Sequence, residues 1–97
     1  MSQYIINNGV LECIFSGKLD TLSSQSIDTD LKANLNAEVK EVKFNLQQVE
    51  YISSSFLRIC IATVRHTGKE KFSIINVSPT VLKVFQIANL TEMICIS

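Results

Sequence analysis

Apolar and polar positions alternate in three stretches of this chain and recur at helical spacing in three others. Tyr4-Ile5-Ile6 reads as a short strand ended by Asn7-Asn8-Gly9. Val10 to Phe15 is the strand that returns from this turn, with Leu11, Cys13 and Phe15 on one face and Glu12 and Ser16 marking the other. Together they predict an antiparallel hairpin. Ser16-Gly17-Lys18-Leu19-Asp20-Thr21 then breaks the pattern. A helix is expected from near Ser23 or Ser24 to about Asn36, with Ile27, Leu31 and Leu35 on its inward stripe. Its acids Asp28 and Asp30 lie early and Lys32 later, in keeping with the helix dipole. Glu41 to Leu46 alternates cleanly, and Lys71 to Ile74, in a strand expected to reach Asn76, repeats the alternation. Between them Leu57, Cys60, Ile61 and Val64 stand at i, i+3, i+4, i+7, the stripe of a helix from about Ser55 to Thr67, with His66 and Gly68 at its end. Ser78-Pro79 is a strong helix start, followed by Val81, Leu82, Phe85 and Ala88. Met93 to Ile96 closes the chain as a short strand.

A central strand covered on both faces is almost wholly apolar, and these strands are not. Lys43 and Asn45 oppose Val42, Phe44 and Leu46. Successive strand–helix–strand units require right-handed crossovers and parallel pairing, which in sequential order lay every helix on the same face. The expected architecture is α/β: a single-domain βα superhelix over residues 1–97, with a mostly parallel sheet of four to five strands, an N-terminal hairpin and helices mainly on one face. The other face is left half open, with Ile14, Tyr4 and Ile6 nearby, and a homodimer is one way to cover it.

Composition narrows the function. At 46% hydrophobic and 19% charged residues, the chain carries enough apolar material for a core. Nine basic residues balance nine acidic ones with no basic run, which removes nucleic acid and anionic membrane as expected partners. Cys13, Cys60 and Cys95 sit in apolar patterns and read as buried, reduced thiols; with no leader pattern and no apolar run of membrane-spanning length, a cytoplasmic protein is expected. No metal-ligand spacing exists, and the three glycines are isolated, so neither metal nor cofactor is expected.

The chemistry concentrates in Gln47-Gln48-Val49-Glu50-Tyr51-Ile52-Ser53-Ser54-Ser55-Phe56-Leu57, where a strand pattern gives way to three serines and a helix. One reading is structural: serine hydroxyls cap a helix by accepting from orphan N–H groups. The other is a phosphorylation site, because a phosphate there sits at the positive end of the helix dipole. A Ser54–His66–Asp20 triad lacks the Gly-x-Ser-x-Gly elbow and any second histidine, so no enzyme is expected. Arg58 and Arg65 lie away from the apolar stripe, as a solvated face; Arg58, one turn from Ser54, also suits a phosphate or an acidic partner.

The order of three further segments resembles the STAS family, the sulfate-transporter and anti-sigma-factor-antagonist domains, over nearly the whole chain. Ser16-Gly17-Lys18-Leu19-Asp20-Thr21 is similar to the family's Gly-x-Leu-Asp. Val42 to Ile52 is similar to its strand ending in Asn/Asp-Leu and a Val-x-Tyr/Phe-Ile step, and Phe72 to Pro79, leading into Val81–Leu90, to its last strand and helix. The resemblance implies a small stand-alone bacterial regulatory module that binds an anti-sigma factor, itself a serine kinase, and is switched by serine phosphorylation. By position the acceptor is Ser54, with Ser53 and Ser55 as fallbacks; Asp20, Thr21, Ser53, Ser55, Phe56 and Arg58 become candidate partner contacts. Ser53 stands where the family has Asp and Phe56 where it has Gly. Ser53 can still cap, and Phe56 is expected to anchor a different partner. The same departures keep a second reading open, a scaffold or transporter-associated STAS module without a phospho-switch. Small-ligand binding around Gly17–Thr21 and Ser53–Phe56 is a third, for which no cradle motif speaks.

Overall fold

Asn8 and Gly9 take positive φ values of 53° and 80°, the pair a two-residue type I′ turn requires. They fold β1 (Gln3–Asn7) back along β2 (Val10–Leu19). A computed structural model describes residues 2–97. After the hairpin come α1 (Thr21–Asn34), β3 (Glu41–Ile52), α2 (Ser54–Thr67), a 3-10 turn at Lys69–Lys71, β4 (Phe72–Ile75), α3 (Pro79–Ile87) and β5 (Cys95–Ile96). The sheet order is β1-β2-β3-β4-β5, antiparallel at β1/β2 and parallel elsewhere.

Sequential parallel order with right-handed crossovers puts the helices on one side, and the burial agrees. Leu11, Cys13, Phe15, Val42, Phe44, Leu46 and Ile74 are wholly buried, while Glu12, Ile14, Lys43, Asn45, Ser73 and Ile75 between them are half-buried. The open face is laced by polar bonds rather than covered. Asn45 Nδ2 donates to Glu12 Oε2 and Asn76 Nδ2 to Asn45 Oδ1, each at 3.2 Å. The covered face is built on aromatic rings: Phe44 meets Phe15 at 5.2 Å and Phe72 at 4.8 Å, both edge to face. Burial pushes the Cys13 thiol up to about 12, and that of Cys60 higher still, so neither is a nucleophile at neutral pH.

Several expectations are corrected. The second strand does not stop at Phe15 but runs to Leu19, and the third runs to Ile52 rather than Leu46. α1 begins at Thr21, two to three residues early, because Asp20 rather than a serine caps it; Asp28 and Asp30 fall outside its first turn. Tyr4 and Ile6 pair with Cys13 and Leu11 and so share the helix-covered face; Ile5, not they, accompanies Ile14 on the open one. Cys95 is exposed, since it pairs with Ser73 on the open face and Ile94 fills the core instead. Ala88 is exposed beyond the end of α3, and Leu90 is buried. No helix among the described residues is long and apolar enough to cross a membrane.

Candidate functional site

β2 and β3 end side by side, with Lys18 opposite Tyr51 and Leu19 opposite Ile52. Towards this end, pairing steps from Ile14↔Asn45 to Ser16↔Gln48 and from Gly17↔Val49 to Lys18↔Tyr51, so β3 carries one extra residue at each step. Such bulges bend a strand and re-aim the side chains beyond them. Gly17 supplies a φ of 78° between them, with open space where a Cβ would stand; the backbone conformation, not crowding, calls for glycine. The Ser53 N–H donates to Leu19 O at 3.0 Å and ties the two strand ends together.

Each strand turns at once into a helix. Asp20 Oδ1 accepts from the Ser23 N–H at 2.9 Å, and this bond to the ionised form holds the Asp20 carboxyl below its usual range. Ser53 Oγ accepts from the Phe56 N–H at 3.3 Å and caps α2. Thr21 and Ser54 come next as the first helical residues. The Ser55 hydroxyl donates to Thr21 Oγ1 at 3.4 Å, a long contact joining the two helix starts.

The three serines therefore do different things. Ser53 is buried and committed to the cap; Ser55 is half-buried and turned toward Thr21. Ser54 is exposed, and its hydroxyl makes no hydrogen bond among the described residues. Arg58, one turn further along α2, is also exposed, and the ion pair among the described residues is Lys32–Asp28, which leaves Arg58 uncommitted. A groove of about 430 Å³ separates α1 from α2, with Thr21, Ser24, Ser55, Arg58 and Ile59 on its walls; Gly17, Ser53 and Phe56 are not among its lining residues.

Phe56 is the main correction. Expected as an exposed partner anchor, it is wholly buried, with its ring 5.6 Å from Phe15 and 5.8 Å from Phe44. Capping explains why. With Ser53 at the N-cap, Phe56 is the third helical residue, and the buried face runs through Phe56, Ile59, Cys60, Thr63 and Val64. Leu57 and Ile61, expected on that stripe, are displaced to its margin. His66 lies in the last turn of α2, twelve residues from Ser54, which at the α-helical rise is about 18 Å away, so the two cannot form a triad. Two exposed apolar residues near the helix starts were not expected from the pattern. Tyr51, half exposed, stands at the end of β3, and Leu22, 75% exposed, lies in the first turn of α1. Their signal in the sequence is position: each is apolar, two residues from a cap, and off the stripe of its own element.

A family model described as the STAS domain matches residues 3–97. The chain belongs to the STAS family. Among solved structures, an anti-sigma factor antagonist from Mycobacterium paratuberculosis superposes with a TM-score of 0.88 at 21% identity, covering 99% of this chain and 83% of that one. The unphosphorylated form of the anti-sigma factor antagonist SpoIIAA gives 0.82 at 21% identity, covering 100% and 88%. The phosphorylated form of SpoIIAA, a Bacillus cell fate determinant, gives 0.76 at 19%, covering 100% and 91%. At these identities the likeness establishes the fold: a single mixed α/β STAS domain with an N-terminal hairpin. No curated protein matches the chain in sequence.

Proposed function

We propose that this STAS domain is an anti-sigma-factor antagonist, a non-enzymatic module that binds an anti-sigma factor with serine kinase activity and is switched by phosphorylation of Ser54. The observation that carries the reading is the state of Ser54: exposed, uncommitted and at the first position of α2, between a serine spent on capping and one turned toward Thr21. Phosphorylation there adds about two negative charges at the positive end of the helix dipole. Arg58 is the nearest side chain along the helix able to meet them. The core need not move, because Ser54 contributes nothing to it. The change would be read instead by a partner seated over the exposed Ser54, with the exposed Tyr51 three residues before it and Leu22 in the first turn of α1 as apolar anchors. Solved relatives include one antagonist in both phosphorylated and unphosphorylated forms, which supports the reading.

Intact-mass measurement of the protein from its native host, beside a Ser54→Ala variant, tests it. A phosphate-sized increment that disappears in the variant is expected, together with partner capture by the unmodified form only. A protein that carries no phosphate under any growth condition overturns the switch. The second reading, a scaffold or transporter-associated module with a fixed partner, would then stand; the neutral Ser53 in the family's Asp position favours it.

A further inference from the structure

Edge strands invite pairing, and most proteins guard them by short length, lysine, proline, bulges or a covering element. The β5 edge is two residues long. The β1 edge has none of these guards. Gln3-Tyr4-Ile5-Ile6-Asn7 carries no charge and no proline, pairs with β2 without a register shift, and exposes every residue but Tyr4. Ile5 is 50% and Ile6 43% exposed, so apolar surface lies on both faces of the same edge. The backbone pattern is just as open. A two-residue turn closes on a hydrogen-bonded pair, here Asn7 and Val10, and antiparallel alternation then turns the N–H and C=O groups of Tyr4 and Ile6 outward.

We propose that two copies of the chain associate by antiparallel pairing of their β1 strands about a two-fold axis at Ile5, joining two five-stranded sheets into one. The strand is self-complementary in this register. Tyr4 of one copy stands opposite Ile6 of the other, so the two residues with outward backbone groups meet on either side of the axis. Ile5 faces Ile5 on the open face, while Ile6 covers Tyr4 on the helix side. A net charge of zero sets no long-range repulsion against association. A single strand pair buries less than a standard interface, so the dimer is weak and concentration-dependent. It uses no residue of the Ser54 rim, so association and the phospho-switch stand or fall separately.

Sedimentation equilibrium over a concentration series tests the pairing. The mass should climb from 10.8 kDa towards twice that value. Ile5→Lys sets like charges opposite each other across the axis and should weaken association by roughly tenfold or more, with the far-UV spectrum unchanged since Ile5 is half exposed. Register is read by cross-linking in a Cys95→Ser background, which removes the exposed native thiol. Ile5→Cys should form a disulfide-linked dimer on mild oxidation and Ile6→Cys should not, because only position 5 faces itself. A monomer at every concentration, a dimer indifferent to Ile5→Lys, or cross-linking at position 6 instead overturns the proposal.

Discussion

The β2–α1 and β3–α2 junctions at the carboxyl end of the sheet are built to one plan. Leu19 pairs with Ile52 and both are buried; Asp20 and Ser53 come next as caps, then Thr21 and Ser54 as exposed first helical residues. Each cap accepts from the N–H three residues on, Ser23 in one case and Phe56 in the other. The plan continues into the helices, where Ile27 and Leu31 occupy positions that Cys60 and Val64 repeat. The chemistry differs. α1 starts with an exposed, charged cap and a third residue outside the core; α2 starts with a buried, neutral cap and an aromatic ring in the core. The same backbone geometry thus serves a solvated helix start at one junction and a core-anchored start at the other.

The difference is largest at the third helical residue. Phe56→Ala removes a wholly buried ring from the Phe15–Phe44 cluster and should cost about 3–5 kcal/mol of unfolding free energy. Ser23→Ala at the equivalent position of α1, outside the core, should stay within about 0.5 kcal/mol. Urea denaturation followed by circular dichroism measures both. Comparable losses at the two positions would mean that Phe56 does not anchor α2 as its packing indicates.

The caps come next. Ser53→Ala leaves the Phe56 N–H unsatisfied at a buried site and should cost about 1 kcal/mol, at every pH. Asp20 behaves otherwise because its cap titrates. Its folded pKa is depressed by the Ser23 N–H, so its contribution is present above the unfolded carboxylate value, near 3.9, and is lost as the pH falls through the lower folded value. Asp20→Asn keeps the cap without the titration. A melting series from neutral to acid pH should therefore show wild type losing stability relative to Asp20→Asn only in that acid window, and Ser53→Ala running parallel to wild type throughout. Parallel curves for all three would remove the charge distinction between the junctions.

Much of this fold was legible in the sequence, and its limits are instructive. Alternation identified Val42, Phe44 and Leu46 as one face because the pleat has a period of two. The same rule lost β3 beyond Leu46: two bulges set the buried residues Leu46, Val49 and Ile52 three apart, a spacing that reads as neither strand nor helix. The family resemblance reached Ser54 and Asp20 by position, but the role of Phe56 depended on which serine caps α2. A one-residue difference in the cap rotates a helix by about 100°, enough to exchange Leu57 for Phe56 at the core. The exposed Tyr51 and Leu22 fell outside every stripe the pattern assigned, and only the geometry shows that they stand in solvent.

The smallest effect on stability, and the most informative about function, separates Thr21 from Ser54. Both side chains are exposed at the first position of a helix, and Thr21→Ala and Ser54→Ala should each change stability by less than about 0.5 kcal/mol. Their surroundings are not equivalent for a phosphate. On Thr21 it would stand next to the Asp20 carboxylate, which is held ionised, and one turn from the neutral Gln25. On Ser54 it would stand next to the neutral Ser53 and one turn from the unpaired Arg58. Arg58 lines the groove that Thr21 also borders, so the Asp20 carboxylate is what separates the sites. Adjacent like charge opposes a phosphate on Thr21 and none adjoins Ser54, although both share the favourable helix dipole. Phosphate incorporation should therefore vanish in Ser54→Ala and persist in Thr21→Ala. Ser54→Asp should weaken partner binding, whereas Ser54→Ala, which adds no charge, should leave it nearly intact. Incorporation at Thr21 would show that the dipole common to both junctions, rather than the charges that distinguish them, selects the acceptor.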